Sequence, residues 1–124
     1  MIPVPGEYRG DVKLYALSTC RWCQKIKQLF RDLGLQYEYT DMDLLLEDEA
    51  TQSVKEDLQR HNPSCSLPTL VINRKECIVG YDKEKIKKSL KELDYDEEDV
   101  GKRLEELDEK EVSDQEKFSV FMVD

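Results

Sequence analysis

The spacing of apolar residues along the chain predicts alternating strands and helices. Residues 11–17 place Val12, Leu14 and Ala16 at every second position, as expected of a buried strand. The next segment repeats apolar residues at helical spacing until Gly34, which ends the helix as its C-cap. The same reasoning predicts further strands at 35–43, 67–72 and 75–79, and further helices at 47–61 and 82–93.

The order of these elements, β-α-β-α-β-β-α, predicts an α/β fold. Parallel strands need a helical crossover, so the first half forms a βαβ unit. The second half forms an antiparallel hairpin, with a tight turn at Asn73 and Arg74, followed by a packing helix. We therefore expect a four-stranded mixed sheet with helices on both faces.

Most of the net negative charge lies near the C-terminus. Residues 1–95 carry 16 acidic and 15 basic side chains, whereas residues 96–124 carry 12 acidic and 4 basic ones. A nearly neutral body and an acidic tail both argue against nucleic acid as a partner. The tail is either a solvated charged face or a surface that meets a basic protein.

The composition predicts a domain over residues 11–93 and an acidic extension over residues 94–124. The 124 residues suffice for one domain with a core and such an extension. The extension contains a narrow apolar stripe at helical spacing, although Gly101 within it disfavours a helix. Its final residues, 118–123, are apolar and strand-like, and we expect them to dock on another surface. The stripe consists of Val100, Leu104 and Leu107.

Neither a membrane span nor a secretion signal is visible in the sequence. No apolar run approaches the roughly 18 residues that a membrane span needs. The N-terminal segment lacks the basic and apolar regions of a signal peptide. The four cysteines are too few and too scattered for a secreted disulfide scaffold. We expect a cytoplasmic protein without a membrane partner.

Two of the cysteines stand where the first strand gives way to the first helix. Cys20 lies over the predicted helix N-terminus, where backbone N–H groups and the helix dipole stabilise a thiolate. Arg21 and Lys25 add positive charge nearby, and Cys23 lies one turn further into the helix. This spacing predicts that Cys20 attacks a substrate disulfide and that Cys23 resolves the resulting mixed disulfide.

A proline opens the third predicted strand, which should lie beside the first. We predict that the bond between Leu67 and Pro68 is cis, leaving the N–H and C=O groups of Leu67 to pair with a substrate strand beside Cys20. The alternative is an ordinary trans proline at a strand start. Cys65, three residues earlier, is either a third redox thiol or an ordinary loop thiol.

Three other side chains have both a chemical and a structural interpretation. Trp22 either contacts a bound substrate or covers the apolar edge of the site. Cys77 is predicted to be a small core residue, paired near Leu70 in the hairpin. His61 stands at a helix end and is expected to interact with the last carbonyls rather than act as a base.

The alternative function is metal binding by the four cysteines as zinc or iron–sulfur ligands. Their spacing, C-x2-C followed by C-x11-C, is too loose in its second half for paired zinc knuckles. Cys77 would also have to leave the hairpin core. The primary prediction therefore includes no metal site.

Three segments, "TCRWCQKIKQLF", "NPSCSLPTLVI" and "IVGYDKEKI", resemble the glutaredoxins in their order and spacing, within the wider thioredoxin-like fold. The resemblance covers roughly residues 11–93. It implies thiol–disulfide oxidoreductase activity, with Cys20 as nucleophile, Cys23 as resolving thiol and Pro68 as the cis-proline of the substrate loop. The positions expected to bind substrate are Arg21, Trp22, Leu67, Gly80 and Asp82.

Departures from the family pattern bear on the electron donor. Glutathione-using members usually carry a lysine where this chain has Leu17, and they often end with Gly-Gly-x-Asp-Asp where it has a run ending in Asp82 and Lys83. The dipeptide between the cysteines is Arg-Trp rather than Pro-Tyr. These changes argue against glutathione, so the redox-active disulfide is the only expected redox group. The chain is similar to glutathione-independent, glutaredoxin-like proteins of prokaryotes, which implies a flavin- or ferredoxin-linked reductase and a client protein with a disulfide.

Overall fold

The computed structural model describes residues 2–45, 49–64 and 66–108. Within these residues the chain forms five strands, four helices and a short 3-10 turn at Met42–Leu44. The strands are β1 Ile2–Val4, β2 Val12–Ala16, β3 Tyr37–Asp41, β4 Thr69–Ile72 and β5 Glu76–Val79. The helices are α1 Arg21–Leu33, α2 Glu49–His61 and α3 Lys83–Glu92, together with α4, which covers residues 97–108.

The strands form one mixed sheet in the order β1-β3-β2-β4-β5. Strands β2 and β3 are parallel, and the other three neighbouring pairs are antiparallel. The predicted α/β fold class is confirmed, with one strand more than expected. Strand β1 pairs with the outer edge of β3, but it is only three residues long and contains Pro3, so it shows no alternation that predicts a strand.

Helix α1 is defined at both ends by its own residues. Cys20 is its N-cap, and Gly34 ends it in the left-handed conformation, with φ of 69°, as predicted. One face of the helix is apolar, and its side chains pack against those of the sheet in the main core. The fully buried residues of this face are Cys23, Ile26, Leu29 and Phe30.

The hairpin of β4 and β5 has the predicted turn, since residues 73 and 74 both have positive φ. Its register places Leu70 opposite Ile78 and Val71 opposite Cys77. The prediction that Cys77 is a core residue beside Leu70 is therefore wrong. Side chains alternate between the faces of a strand, so Ile78 takes the core position and Cys77 is left half-buried on the other face.

Helix α4 packs on the main core although it belongs to the predicted extension. Its apolar stripe is buried, and this burial favours the helix despite Gly101. The division of the chain at residue 93 stays a prediction, and residues 118–123 lie outside the described residues. The buried stripe consists of Val100, Leu104 and Leu107.

An arginine from the N-terminal segment secures the connection between α3 and α4. Arg9 donates hydrogen bonds from Nη1 to the carbonyls of Leu93 and Asp94, at 3.2 and 3.0 Å. Its guanidinium also lies 4.1 Å from the ring centroid of Tyr95.

In the described part of the chain, no helix combines the length and apolarity needed to cross a bilayer.

Candidate active site

Cys20 lies in the connection between β2 and α1, at the N-cap of the helix. Its side chain is half-buried, and its Sγ atom accepts a hydrogen bond from the backbone N–H of Cys23 at 3.4 Å. The Cys20 carbonyl accepts a second hydrogen bond from the N–H of Gln24 at 3.1 Å. The first turn of α1 thus directs a backbone donor and the positive end of the helix dipole at the Cys20 sulfur.

Cys23 is fully buried one turn further along α1. Burial, together with a hydrogen bond to the Cys20 thiol, raises the pKa of Cys23 to about 12. Its thiol therefore stays protonated at neutral pH while both cysteines are reduced. The two sulfurs thus differ in access, because Cys20 is half-buried and Cys23 is fully buried.

The loop before Cys20 is held by the carboxylate of Asp43, a residue that the sequence pattern does not single out. Ser18 donates to Asp43 twice, from its backbone N–H to Oδ1 at 2.8 Å and from its hydroxyl to Oδ2 at 2.5 Å. These hydrogen bonds hold the pKa of Asp43 below its usual value. Asp43 follows β3, and parallel neighbouring strands end at the same edge of a sheet. In the sequence, the only indication of this role is the position of Asp43 two residues after the end of β3.

The bond between Leu67 and Pro68 is cis, as predicted. Strand β4 begins directly after Pro68 and runs antiparallel to β2, so this loop lies at the sheet edge where Cys20 follows β2. The Pro68 carbonyl accepts a hydrogen bond from the N–H of Gly80 at 2.8 Å. The side chain of Asn62 donates to the Thr69 hydroxyl at 3.0 Å and thereby ties α2 to this loop.

The remaining predicted site residues have defined positions, except for Cys65, which lies outside the described residues. Arg21 is the exposed first residue of α1. Gly80 adopts a left-handed conformation, with φ of 81°, between β5 and α3. Asp82 is the N-cap of α3, where its carboxylate accepts from the N–H of Lys85 at 3.2 Å. Asp82 therefore has a structural role, and its contact with substrate stays a prediction.

Trp22 belongs to a cluster of aromatic and charged side chains beside the two cysteines. It is 44% exposed and stacks on Tyr81, with 5.3 Å between ring centroids. The Lys25 ammonium lies 4.6 Å from the Trp22 ring centroid and 2.6 Å from the Asp108 carboxylate of α4. Asp108 also forms a salt bridge with Lys83. Lys25 is near Cys20 in the sequence, but the sequence gives no indication of its partners.

A buried ion pair connects the same helix to strand β3. Lys27 contacts Asp41, with 2.9 Å between Nζ and Oδ1, and their side chains are only 5% and 13% exposed. The Lys27 ammonium also lies 4.2 Å from the ring centroid of Tyr39. This cation lowers the pKa of Cys23, but burial of that thiol outweighs it. The helical spacing of apolar residues gives no indication that such a lysine is buried.

Metal binding has no assembled site among residues 2–45, 49–64 and 66–108, where no three side chains of the types His, Cys, Asp and Glu come together as ligands. The four-cysteine site of the alternative hypothesis included Cys65, which lies outside the described residues. The four-cysteine site therefore stays a prediction.

Comparisons with known proteins agree with this geometry. The Glutaredoxin family model matches residues 12–77. The crystal structure of the glutaredoxin from Methanosarcina mazei Go1 is similar, with 43% sequence identity and a TM-score of 0.62, over 71% of this chain and 84% of that one. Methanoredoxin from Methanosarcina acetivorans has 42% identity and a TM-score of 0.61, over 68% of this chain and 88% of that one.

A curated relative extends the similarity. The Gene 56 protein of Mycobacterium phage D29 is 31% identical over 75 residues, which is 60% of this chain and 77% of the relative. The family match runs from β2 into β5 and covers the cysteine pair and the cis-proline loop. Because the family model matches more than half of the chain, and because similar chains match over most of their own length, this chain belongs to the glutaredoxin family.

Proposed function

We propose that the protein reduces disulfide bonds of client proteins by a dithiol mechanism through Cys20 and Cys23. The observation that carries the proposal is the contrast between the two sulfurs. Cys20 is half-exposed at a helix N-terminus, whereas Cys23 is fully buried with a pKa of about 12. The family supports thiol–disulfide oxidoreductase activity, and this contrast supports the proposed order of the two attacks.

In the first step the Cys20 thiolate attacks one sulfur of the client disulfide. A bond forms between Cys20 and that sulfur, the client S–S bond breaks, and the leaving client thiolate takes a proton from water. In the second step Cys23 gives up its proton and attacks the Cys20 sulfur, which releases the other client thiol. The client gains two electrons and two protons, and the protein is left with a disulfide between Cys20 and Cys23.

Burial of Cys23 explains why it does not compete for the client disulfide. A thiol without exposed surface cannot reach a protein disulfide, and a protonated thiol is a poor nucleophile. Once the Cys20 sulfur belongs to a mixed disulfide, that sulfur lies one helical turn from Cys23. A strongly basic thiolate is also an intrinsically good nucleophile, so the rare ionised form of Cys23 reacts efficiently.

The surface around Cys20 supports a protein disulfide, rather than a small disulfide, as the substrate. Trp22 and Val79 are large apolar side chains that are 44% and 46% exposed. Val79 pairs with Thr69 at the start of β4, directly after the cis-proline. We propose that an extended client segment lies across this edge and pairs with the backbone of Leu67. The other proposed contacts come from Arg21, Gly80 and Asp82.

For the electron donor we propose a flavin- or ferredoxin-linked disulfide reductase instead of glutathione. Leu17 offers no charge at the position where a lysine is usual in glutathione-using members. Asp82 is engaged as a helix cap, and Lys83 pairs with Asp108. Catalysis of this kind requires a reducing compartment, and on that ground we propose that the protein acts in the cytoplasm.

The first experiment is reduction of insulin disulfides with dithiothreitol as donor, and separately with glutathione. We expect turnover by the wild type with the dithiol and little with glutathione. Cys20→Ser should abolish turnover. Cys23→Ser, reduced beforehand and mixed with insulin after the free dithiol has been removed, should stop after one attack and accumulate a covalent complex with insulin. Cys77→Ser is the matched control, because it removes a half-buried thiol from β5 and should leave turnover unchanged.

Each part of the proposal has a result that contradicts it. Full turnover by Cys20→Ser would exclude the assigned nucleophile. Equal rates with glutathione and dithiothreitol would exclude the proposed choice of donor. Absence of turnover by metal-free wild-type protein would direct attention to the metal content of the protein as purified.

A further inference from the structure

The carboxylate of Asp108, on helix α4, is held by three donors beside the candidate active site. Its Oδ1 atom lies 2.6 Å from the ammonium of Lys25, and the carboxylate forms a second salt bridge with Lys83. The Tyr81 hydroxyl donates a third, longer hydrogen bond of 3.4 Å. Two cations and a hydroxyl around one carboxylate are the arrangement with which proteins bind the carboxylate of a ligand. Here the chain itself supplies the anion.

This cluster lies close to the nucleophilic sulfur. Trp22 is two residues after Cys20, and its ring stacks on Tyr81 with the Lys25 ammonium against both rings. Tyr81 packs, like Cys20, against the main core. Lys25 is five residues after Cys20, so at about 1.5 Å per residue its backbone lies about 7.5 Å further along α1. Charges at separations of this order act on any charged group that approaches the sulfur.

Asp108 is ionised where it acts. Partial burial opposes its ionisation, but the hydrogen bonds from Lys25 and Lys83 outweigh that effect and hold the pKa of Asp108 below its usual value. Its side chain is 28% exposed and that of Lys25 only 7%, so solvent screens this pair less than a surface pair. The carboxylate therefore cancels one of two positive charges beside the site.

Apolar burial, and not this carboxylate alone, holds α4 on the domain. The helix already buries Val100, Leu104 and Leu107 in the main core. Asp108 follows that stripe and reaches two lysines on two other helices, α1 and α3. A buried apolar stripe accounts for the position of the helix, whereas the charge contacts account for the electrostatics beside Cys20.

We propose that Asp108 sets the charge preference of the active site. By occupying the cationic pocket of Lys25 and Lys83, it disfavours anionic disulfides and favours neutral or cationic segments of a client. The inference rests on the proposed disulfide chemistry at Cys20. It adds a specificity-determining residue from outside residues 12–77, the segment that the family model matches.

The test compares three small disulfides of similar size and different charge. They are cystamine with two positive charges, bis(2-hydroxyethyl) disulfide with none, and 3,3′-dithiodipropionate with two negative charges. The measured quantity is the second-order rate constant for oxidation of the reduced full-length protein. The reaction is quenched at different times, and the remaining thiols are alkylated and counted. Each oxidation forms the Cys20–Cys23 disulfide and releases two small thiols, so no additional reductant is required.

We expect Asp108→Asn to increase the rate constant for the anionic disulfide and to lower that for the cationic one by about threefold each at roughly 10 mM salt. The value follows for one unit charge and a doubly charged substrate about 10 Å apart in water, where the screening length is about 30 Å. The rate for the neutral disulfide should not change. Asp108→Glu should behave like the wild type, since it keeps the charge. Glu106→Gln is the matched control, because it removes the same charge from an exposed position of α4 and should change each rate clearly less than Asp108→Asn does.

A second variant tests the pocket from its other side. Lys83→Gln removes a cation and should shift the two charged disulfides in the opposite direction, so the test does not depend on folding of Asp108→Asn. At about 1 M salt, where the screening length is about 3 Å, both shifts should disappear.

The failures of the two proposals are distinguishable. Normal oxidation of the wild type with unchanged ratios in Asp108→Asn and Lys83→Gln would overturn the charge preference and leave the disulfide chemistry in place. An equal change for all three disulfides would also overturn it, because that result indicates a structural effect. Failure of all three disulfides to oxidise the wild type would overturn the proposed function and the inference with it.

Discussion

The buried Cys23 thiol should resist alkylation under conditions that modify an ordinary thiol. Its pKa of about 12 compares with about 8.5 for an unperturbed cysteine. At pH 8 an ordinary thiol is roughly one quarter thiolate, whereas Cys23 is thiolate in about one molecule in ten thousand. The reactive population of Cys23 is therefore smaller by roughly 2,000-fold.

Intrinsic reactivity recovers part of this difference. A more basic thiolate is a better nucleophile, by about 40-fold over this pKa interval for a Brønsted slope of about 0.45. The two effects together predict that Cys23 reacts about 60-fold more slowly than an ordinary thiol. Complete burial of the side chain slows it further. Because the thiolate population rises with pH, the rate should rise about tenfold per pH unit between pH 8 and pH 11.

Peptide mapping measures this rate directly. Trypsin cleaves after Arg21, so Cys20 and Cys23 fall on separate peptides, residues 14–21 and 22–25. The reduced protein is treated with iodoacetamide for different times, quenched, digested and quantified by mass spectrometry, with free cysteine as reference. In Cys20→Ser the protection of Cys23 should persist, because burial is the largest cause of its raised pKa. Labelling of Cys23 within tenfold of the reference rate, or a plateau below pH 10, would refute the reasoning.

Three further predictions concern stability and the loop before the nucleophile. Asp41→Ala should lower the free energy of unfolding by about 3–5 kcal/mol, because it leaves the buried Lys27 ammonium without its carboxylate, and the combination of Lys27→Met with Asp41→Leu should restore most of the loss. Urea denaturation measures both, and a loss below about 1 kcal/mol for the single variant would contradict the argument. Asp43→Ala removes the acceptor of two Ser18 hydrogen bonds and should slow disulfide reduction several-fold while the urea midpoint stays nearly constant; an unchanged rate would be inconsistent with a positioning role. Gly101→Ala should stabilise helix α4 by about 0.5–1 kcal/mol, since the added methyl group meets only a lysine side chain at 3.4 Å, and a lower melting temperature would count against this.

Features with a local physical cause were predictable from the sequence. Gly34 ends α1 because a residue without Cβ adopts the left-handed conformation at no steric cost, and the structure gives it φ of 69°. The hairpin turn at residues 73 and 74 follows from its length between two apolar segments. The cysteine pair was placed correctly for the same reason, since a strand followed by a helix puts Cys20 at the N-cap.

Features that depend on distant partners were not predictable. Asp43 is 25 residues from Ser18, and Asp108 is 83 residues from Lys25, so only the folded chain brings them together. Lys25 and Lys27 are 7% and 4% exposed, although a pattern of apolar residues assigns lysines to the surface. Carboxylates from other elements and the aromatic rings that the ammonium groups contact offset the cost of this burial. The error at Cys77 has another origin, because a four-residue strand gives too few alternations to decide which residue faces the core.

Strand β1 has a consequence for the behaviour of the chain at high concentration. It covers the outer edge of β3, which would otherwise present unpaired N–H and C=O groups to another molecule. Pro3 within β1 and Pro5 after it have no N–H group, so the new edge is a poor template for a further strand. A shortened chain that starts at Asp11 would keep the cysteine pair but lose this protection, and it should aggregate through β3.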